Sequence, residues 1–236
     1  MPVTCTPASG STFAVGATTV ACTAQDASGN TSSATFGIDV EDTTAPVLST
    51  PAAVSATATG PSTRVAFTQP VTATDLVDGA VVPVCVDDRG TALTTSGGSF
   101  RPGSTTVTCT ATDAHGNSTS ASFAVRVTYA WSGLLAPVVD GGSYKLGRSI
   151  PVKFALTGAS AGTTDAAAHL VLTKLPAGGS AKDATATSAA NSGNAFRYGD
   201  GQYIYNLDTR PLSAGTWQLQ VVLGDGVAHA TTIVLK

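Results

Sequence analysis

The sequence predicts an all-β protein built of tandem immunoglobulin-like β-sandwich domains. Three observations carry that expectation. Charged residues make up only 11% of the 236-residue chain, where globular domains carry about 25%. Threonine, at 37 residues, fills much of the gap; its β-branched side chain suits a pleated strand and its hydroxyl keeps an outer face wet. The apolar residues recur at period two, and few stretches are rich in the Leu, Glu and Lys that helices favour. A hydrophobic content of 42% is enough for real cores, and the length allows about two domains of ordinary size.

An internal repeat sets the organisation. Residues 13–40 and 100–127 align without a gap and share 16 of 28 positions. In the second copy Val107, Cys109 and Ala111 alternate with Thr106, Thr108 and Thr110, one apolar face and one hydroxylated face. Asp113-Ala-His-Gly-Asn117 then supplies turn chemistry, with Gly116 free to take positive φ. Ala121, Phe123, Val125 and Val127 follow as inward positions, against Ser120, Ser122 and Arg126 outward. A β-hairpin is therefore expected twice.

The second hairpin has further strands before it, expected at residues 64–68 and 81–86, with a turn-rich segment at 74–79 between them. Asp42-Thr-Thr-Ala-Pro46 opens the unit, its proline marking an extended linker. Residues 43–128 are thus expected to form a complete sandwich of about seven short strands. Residues 1–42 read as only the later half of such a unit. Their inward positions Val20, Cys22, Phe36, Ile38 and Val40 have no facing sheet within the segment.

Residues 129–236 form a third region. Ile150, Val152, Phe154 and Leu156 alternate with polar or small neighbours, as do Tyr203, Tyr205 and Leu207, and Trp217, Leu219, Val221 and Leu223. Ile233 and Leu235 close the chain. Residues 165–175 fit a short helix or a strand equally well, and the longest Gly- and Ala-rich connection spans 177–193. Period two dominates, so a further sandwich is expected.

Charge and hydropathy exclude several classes. The net charge is −3 and no Lys/Arg cluster occurs, so a nucleic-acid partner is not expected. No apolar run approaches the ~18–20 residues of a membrane span. The first residues lack the basic start and apolar core of a signal peptide, which places any export signal outside the chain.

Four cysteines, Cys5, Cys22, Cys85 and Cys109, lie on strand-like segments at spacings far from metal or redox motifs. Two disulfides in an oxidising compartment are expected, against the alternative of buried free thiols. Gly158-Ala-Ser160-Ala-Gly162 matches the G-x-S-x-G string of a nucleophile elbow. An elbow needs a strand-to-helix turn in an α/β sheet, and the surrounding pattern offers none, so no catalytic residue and no enzyme activity are expected. His115, His169 and His229 do not pair at ligand spacing; His115 takes the place of Ser28 in the other copy and reads as a solvated turn residue. Asp75, Asp78 and Asp113 carry hard oxygens of the kind that bind Ca²⁺, but Asp in a turn more often bonds its own backbone. They are read as turn formers, and no metal or cofactor is expected. Trp131 and Tyr144 stand outside the strongest strands and are the candidate ligand-binding aromatics, whereas Tyr203, Tyr205 and Trp217 are in phase with the core.

Two resemblances emerge from these motifs. Residues 43–128 resemble a hyalin repeat (HYR) domain through Phe67, Pro70, Ala73-Thr-Asp75, Asp78, Val84, Cys85, Phe100, Gly103, Thr105-Thr-Val107, Cys109-Thr-Ala-Thr-Asp113 and Gly116-Asn117. Residues 1–42 resemble the second half of another repeat. Pro151-Val-Lys-Phe154, Trp131-Ser-Gly-Leu-Leu-Ala-Pro137 and Gly201-Gln-Tyr-Ile-Tyr205 resemble the bacterial C-terminal module named for its Pro-x-Lys-Phe motif. The HYR resemblance implies an immunoglobulin-like extracellular module and a Cys85–Cys109 disulfide; a Cys5–Cys22 pair within the first repeat is expected by the same division. Family members often carry extra cysteines that this chain lacks. The combined reading is a non-catalytic adhesive or spacer stalk with a protein or glycan surface partner, the alternative being a carbohydrate-binding accessory module of a secreted enzyme.

Overall fold

A computed structural model describes residues 1–175, 182–185 and 192–236. Among these residues every regular element is a strand except one turn of 3-10 helix at Gly158–Ser160.

The first sheet joins Val3–Thr6, Gly16–Gln25 and Thr31–Val40, all antiparallel. The second hairpin, Gly103–Thr112 with Ser118–Thr128, repeats its register and forms the centre of a five-stranded sheet. Val84–Asp87 and Ala92–Leu93 extend that sheet on one side, and Val54–Thr57 adds in parallel on the other. The alternation is read out directly: Val107, Cys109 and Ala111 are each 0% exposed. On the outer face the Thr108 and Ser122 hydroxyls meet at 2.9 Å and those of Thr110 and Ser120 at 2.7 Å, the cross-strand pairing that hydroxyl-rich strands allow.

Two smaller sheets complete this unit, Val47–Ser49 with Thr72–Asp75 and Gly79–Val81, and Gly97–Phe100 with Thr63–Ala66. Val65 and Phe100 of these sheets, with Phe67 and Val71 from the loop between Thr63–Ala66 and Thr72–Asp75, pack on Val107, Phe123, Val125 and Val127 in one core; Phe67 meets Phe123 edge-on at 4.9 Å. The strand expected at 81–86 is in fact two strands in different sheets, Gly79–Val81 and Val84–Asp87. Pro83 stands between them, and a residue without an N–H cannot carry one ladder through both. The turn expected at 74–79 is correspondingly tighter, with Asp75 already paired to Gly79.

The last region packs a four-stranded sheet (Trp131–Leu135, Ser149–Leu156, Gln202–Asp208, Arg197–Gly199) on a five-stranded one (Gly142–Tyr144, Ala228–Leu235, Gly215–Leu223, Ala168–Leu175, Lys182–Asp183). Val152, Phe154, Tyr203, Tyr205 and Leu207 from the first face Leu170, Leu172, Trp217, Leu219, Val221 and Ile233 from the second. Within residues 165–175 the structure forms a strand, Ala168–Leu175, fully paired to Gly215–Leu223. Pro151 is tolerated inside Ser149–Leu156 because the neighbouring strand stops at the Leu135↔Lys153 pair, so no ladder bond is lost on that side. Most of the connection expected at 177–193 lies outside the described residues, apart from the short strand Lys182–Asp183.

Both cysteine pairs are bonded as expected: Cys5 with Cys22 and Cys85 with Cys109. Each joins directly opposed residues on neighbouring strands of one sheet.

Candidate functional site

Among the described residues, two clusters of buried polar groups lie where the first hairpin meets the next unit and where that unit meets the last region. At the first joint, Asp113 opens the turn between Gly103–Thr112 and Ser118–Thr128. Its Oδ1 accepts from the backbone N–H groups of His115 (2.9 Å) and Asn117 (2.8 Å), and its Oδ2 accepts from Asn117 Nδ2 (2.8 Å). Gly116 takes φ +91°, the left-handed region this turn requires. Burial pushes the Asp113 carboxyl up, but hydrogen bonds from Asn117, His115 and Gly116 outweigh it and hold the group below its ordinary value. The first hairpin builds the same turn on Asp26, with bonds from Ser28 N, Asn30 N and Asn30 Nδ2 at 2.8–2.9 Å. The turn-former reading of Asp113 is thus correct as far as it goes.

Around Asp113 the fold adds what its counterpart lacks. Asn117 Nδ2 also donates to Asp42 O at 3.0 Å, drawing the linker onto the turn. Asp75 Oδ1 accepts from Val77 N (2.7 Å) and Asp78 N (3.0 Å). Asp78 Oδ2 accepts from Ala114 N at 3.2 Å and lies 3.3 Å from His115 Nδ1. His115 Nδ1 is also 3.5 Å from Asp42 Oδ2. One oxygen from each of Asp42, Asp75, Asp78 and Asp113 lies within 4.8 Å of the other three. His115 is exposed and in the turn, as the sequence implied, and it also stands between two carboxylates. Asp42 was legible in the sequence only as a linker residue, since a linker Asp carries no motif and the other carboxylates of the cluster lie 33 or more positions away.

The second joint is built on Ser160. Its side chain is 0% exposed; Oγ donates to Ala58 O at 2.6 Å and accepts from Ala130 N at 3.1 Å. Beside it Tyr129 packs on both neighbouring cores, and its N–H donates to Asp225 Oδ2 at 2.7 Å. Burial and the charges of Asp165 and Asp225 raise the Tyr129 hydroxyl's pKa above its ordinary value. The G-x-S-x-G serine thus commits its hydroxyl to backbone partners, and neither His169 nor His229 is among them.

Trp131 and Tyr144 stand on strands of different sheets and are not brought together. Both are half-buried and pack against the C-terminal core. The Trp131 ring lies 3.9 Å from that of His229 and 5.9 Å from that of Phe154, centroid to centroid. Tyr144 Oη donates to Pro137 O (2.8 Å) and accepts from Val139 N (2.9 Å). Tyr203, Tyr205 and Trp217 are core residues, as expected. Among the described residues no helix is long and apolar enough to cross a membrane.

Disulfide-bonded, immunoglobulin-like β-sandwich repeats define the class. The HYR domain matches residues 2–40 and 41–127, more than half of the chain, and the protein belongs to the HYR family. It contains extracellular, adhesion-type modules of a kind that is typically non-enzymatic. No curated protein matches in sequence. Among solved structures the chain is similar to protocadherin gammaB7 domains EC3-6, at 17% identity and a TM-score of 0.30 over 92% of this chain and 57% of that one. Mouse cadherin-23 EC22-24 aligns at 15% identity and a TM-score of 0.29, covering 93% of this chain and 73% of that one. The tandem Ig repeats of Dlar align at 11% identity and a TM-score of 0.26, covering 81% and 97%.

Proposed function

We propose that the chain is a non-catalytic adhesive or spacer stalk of an exported bacterial protein. Its modules in this reading are residues 1–42, 43–128 and 129–236, the last being of the Pro-x-Lys-Phe type. The Ser160 joint is the observation that carries the proposal. A flexible linker would leave Ala58 O, Ala130 N and Tyr129 N to water, whereas here buried side chains bind all three. Fixed joints transmit position along a chain of repeats, which is what a spacer requires. Pro151, Val152 and Phe154 have structural roles in this reading, two of them buried in the core.

Small-angle X-ray scattering of the full chain tests the proposal. One fixed arrangement of residues 43–128 and 129–236 should fit the curve, and a requirement for freely jointed modules would overturn it. The carbohydrate-binding alternative would rest on Trp131 and Tyr144. A glycan-array signal lost in Trp131→Ala would replace the stalk by that accessory role.

A further inference from the structure

Hydrogen bonding accounts for the carboxylates of the first joint incompletely. The Asp42 side chain is 2% exposed and Asp75 is 8% exposed. Asp42 Oδ2 and Asp75 Oδ2 nonetheless have no hydrogen-bond partner among the described residues, although His115 Nδ1 stands 3.5 Å from Asp42 Oδ2. A buried carboxylate oxygen without a donor is costly, and here two such oxygens share a cluster with Asp78 and Asp113. The internal repeat provides a control. Asp26 makes the same turn bonds as Asp113, yet no such cluster among the described residues includes it. Turn formation therefore explains Asp113 and leaves the convergence of Asp42 and Asp75 unexplained.

We propose that this joint is a Ca²⁺ site, with Asp42, Asp75, Asp78 and Asp113 as its carboxylate ligands. Ca²⁺ takes several oxygens at about 2.4 Å, so two oxygens on opposite sides of one ion are about 4.8 Å apart. The four carboxylate oxygens lie within that span of one another. Mg²⁺ needs a tighter, near-octahedral shell and holds on to several waters, for which two almost wholly buried carboxylates leave little room. Zn²⁺ favours nitrogen and sulfur, and His115 is the one nitrogen ligand in the described clusters.

The ligands come from three separate segments. Asp42 follows the strand Thr31–Val40; Asp75 and Asp78 flank the turn between Thr72–Asp75 and Gly79–Val81; Asp113 opens the turn before Ser118–Thr128. One ion would pin the linker of the first repeat to two turns of the next. A cleft lined by Val15, Val40, Asp42 and His115 lies at the same place, between the two repeats. Calcium would thereby fix how the first hairpin stands on its neighbour.

Calorimetric titration of CaCl₂ into the chelator-treated full chain, with ZnCl₂ titrated in parallel, tests the site. One Ca²⁺ should bind, and Asp75→Asn should weaken it at least about tenfold because the variant removes a ligand charge. Asp78→Asn, at a side chain 23% exposed, should do the same and serves if Asp75→Asn does not fold. Asp26→Asn should leave the affinity unchanged. Ca²⁺ should also slow cleavage after Glu41 by a Glu-specific protease, and this protection should vanish in the same variants. The site is overturned by a titration without Ca²⁺ binding, or by Ca²⁺ binding that survives both Asp75→Asn and Asp78→Asn. Zn²⁺ binding that depends on His115, with no Ca²⁺ binding, overturns it as well. Each of these results leaves the stalk reading standing, since that rests on the Ser160 joint.

Discussion

Ser160→Ala should loosen the joint between residues 43–128 and 129–236 without damaging either core. The hydroxyl makes two hydrogen bonds, to Ala58 O at 2.6 Å and from Ala130 N at 3.1 Å, in a position with no solvent exposure. Removing it leaves a buried acceptor and a half-buried donor unpaired, a loss of about 1–3 kcal/mol. For modules of this size each kcal/mol moves the melting midpoint by about 4–8 °C. Differential scanning calorimetry of the full chain should show that fall. The partner acceptor lies on the neighbouring module, so isolated 129–236 should lose much less on the same substitution. Equal losses in the full chain and in the isolated module would refute the argument, because the hydroxyl would then serve packing within its own module. Hydrolysis of a model ester that disappears in Ser160→Ala would refute it too, since a hydroxyl locked between backbone groups cannot act as a nucleophile.

Three further outcomes follow from the same geometry. Phe36 and Phe123 occupy the same place in the repeat but are 53% and 7% exposed. In urea denaturation Phe123→Ala should cost about 3–5 kcal/mol, and Phe36→Ala under about 1 kcal/mol. Breaking the Cys85–Cys109 bond, which closes a loop of 24 positions, should cost roughly 3 kcal/mol in the chain-entropy view; non-reducing peptide mapping that joined Cys5 to Cys85 would contradict both pairings. Burial lowers the His229 pKa, opposed by the charge of Asp225. The folded state then resists a proton that the unfolded chain accepts, so the His229 contribution is complete above the unfolded value near 6.5 and is lost as pH falls through the lower folded value. Urea midpoints between about pH 5 and 8 should show that decline, and His229→Gln should flatten it.

The fold was legible because a charge-poor chain expresses its strands as plain alternation. Val107, Cys109 and Ala111 are as buried as the pattern demands, and Thr108 and Thr110 meet serines across the outer face. Tyr203, Tyr205 and Trp217 were placed correctly by phase alone. The pattern misled where alternation continued through a proline, since Val82 and Val84 keep the period while Pro83 breaks the ladder. It was silent on the joints. Ser160 meets Ala58 across 102 positions and His115 meets Asp78 across 37, and no local periodicity encodes such meetings. The repeat also shows that identical motifs need not have identical burial. Phe36 and Phe123 share their frame, but only Phe123 has Phe67 across the core.

In a chain where only 11% of residues are charged, a buried carboxylate calls for an account. Asp208 receives one from Arg210, whose guanidinium and backbone N–H bond it at 2.8–3.1 Å. Asp225 receives one from the N–H groups of Tyr129 and Val227, and Asp113 from its turn. These three sit where backbone donors converge, as desolvated carboxylates must if they are to stay charged. Asp42 and Asp75 use one oxygen in that way, toward Thr44 N and toward Val77 and Asp78 N, and leave the other without a hydrogen bond, His115 Nδ1 standing 3.5 Å from that of Asp42. Two independent lapses in an otherwise well-satisfied set would be unremarkable if they lay apart. They lie in the same cluster, on segments 33 positions apart, and a cation between them is the simplest group that satisfies both oxygens at once.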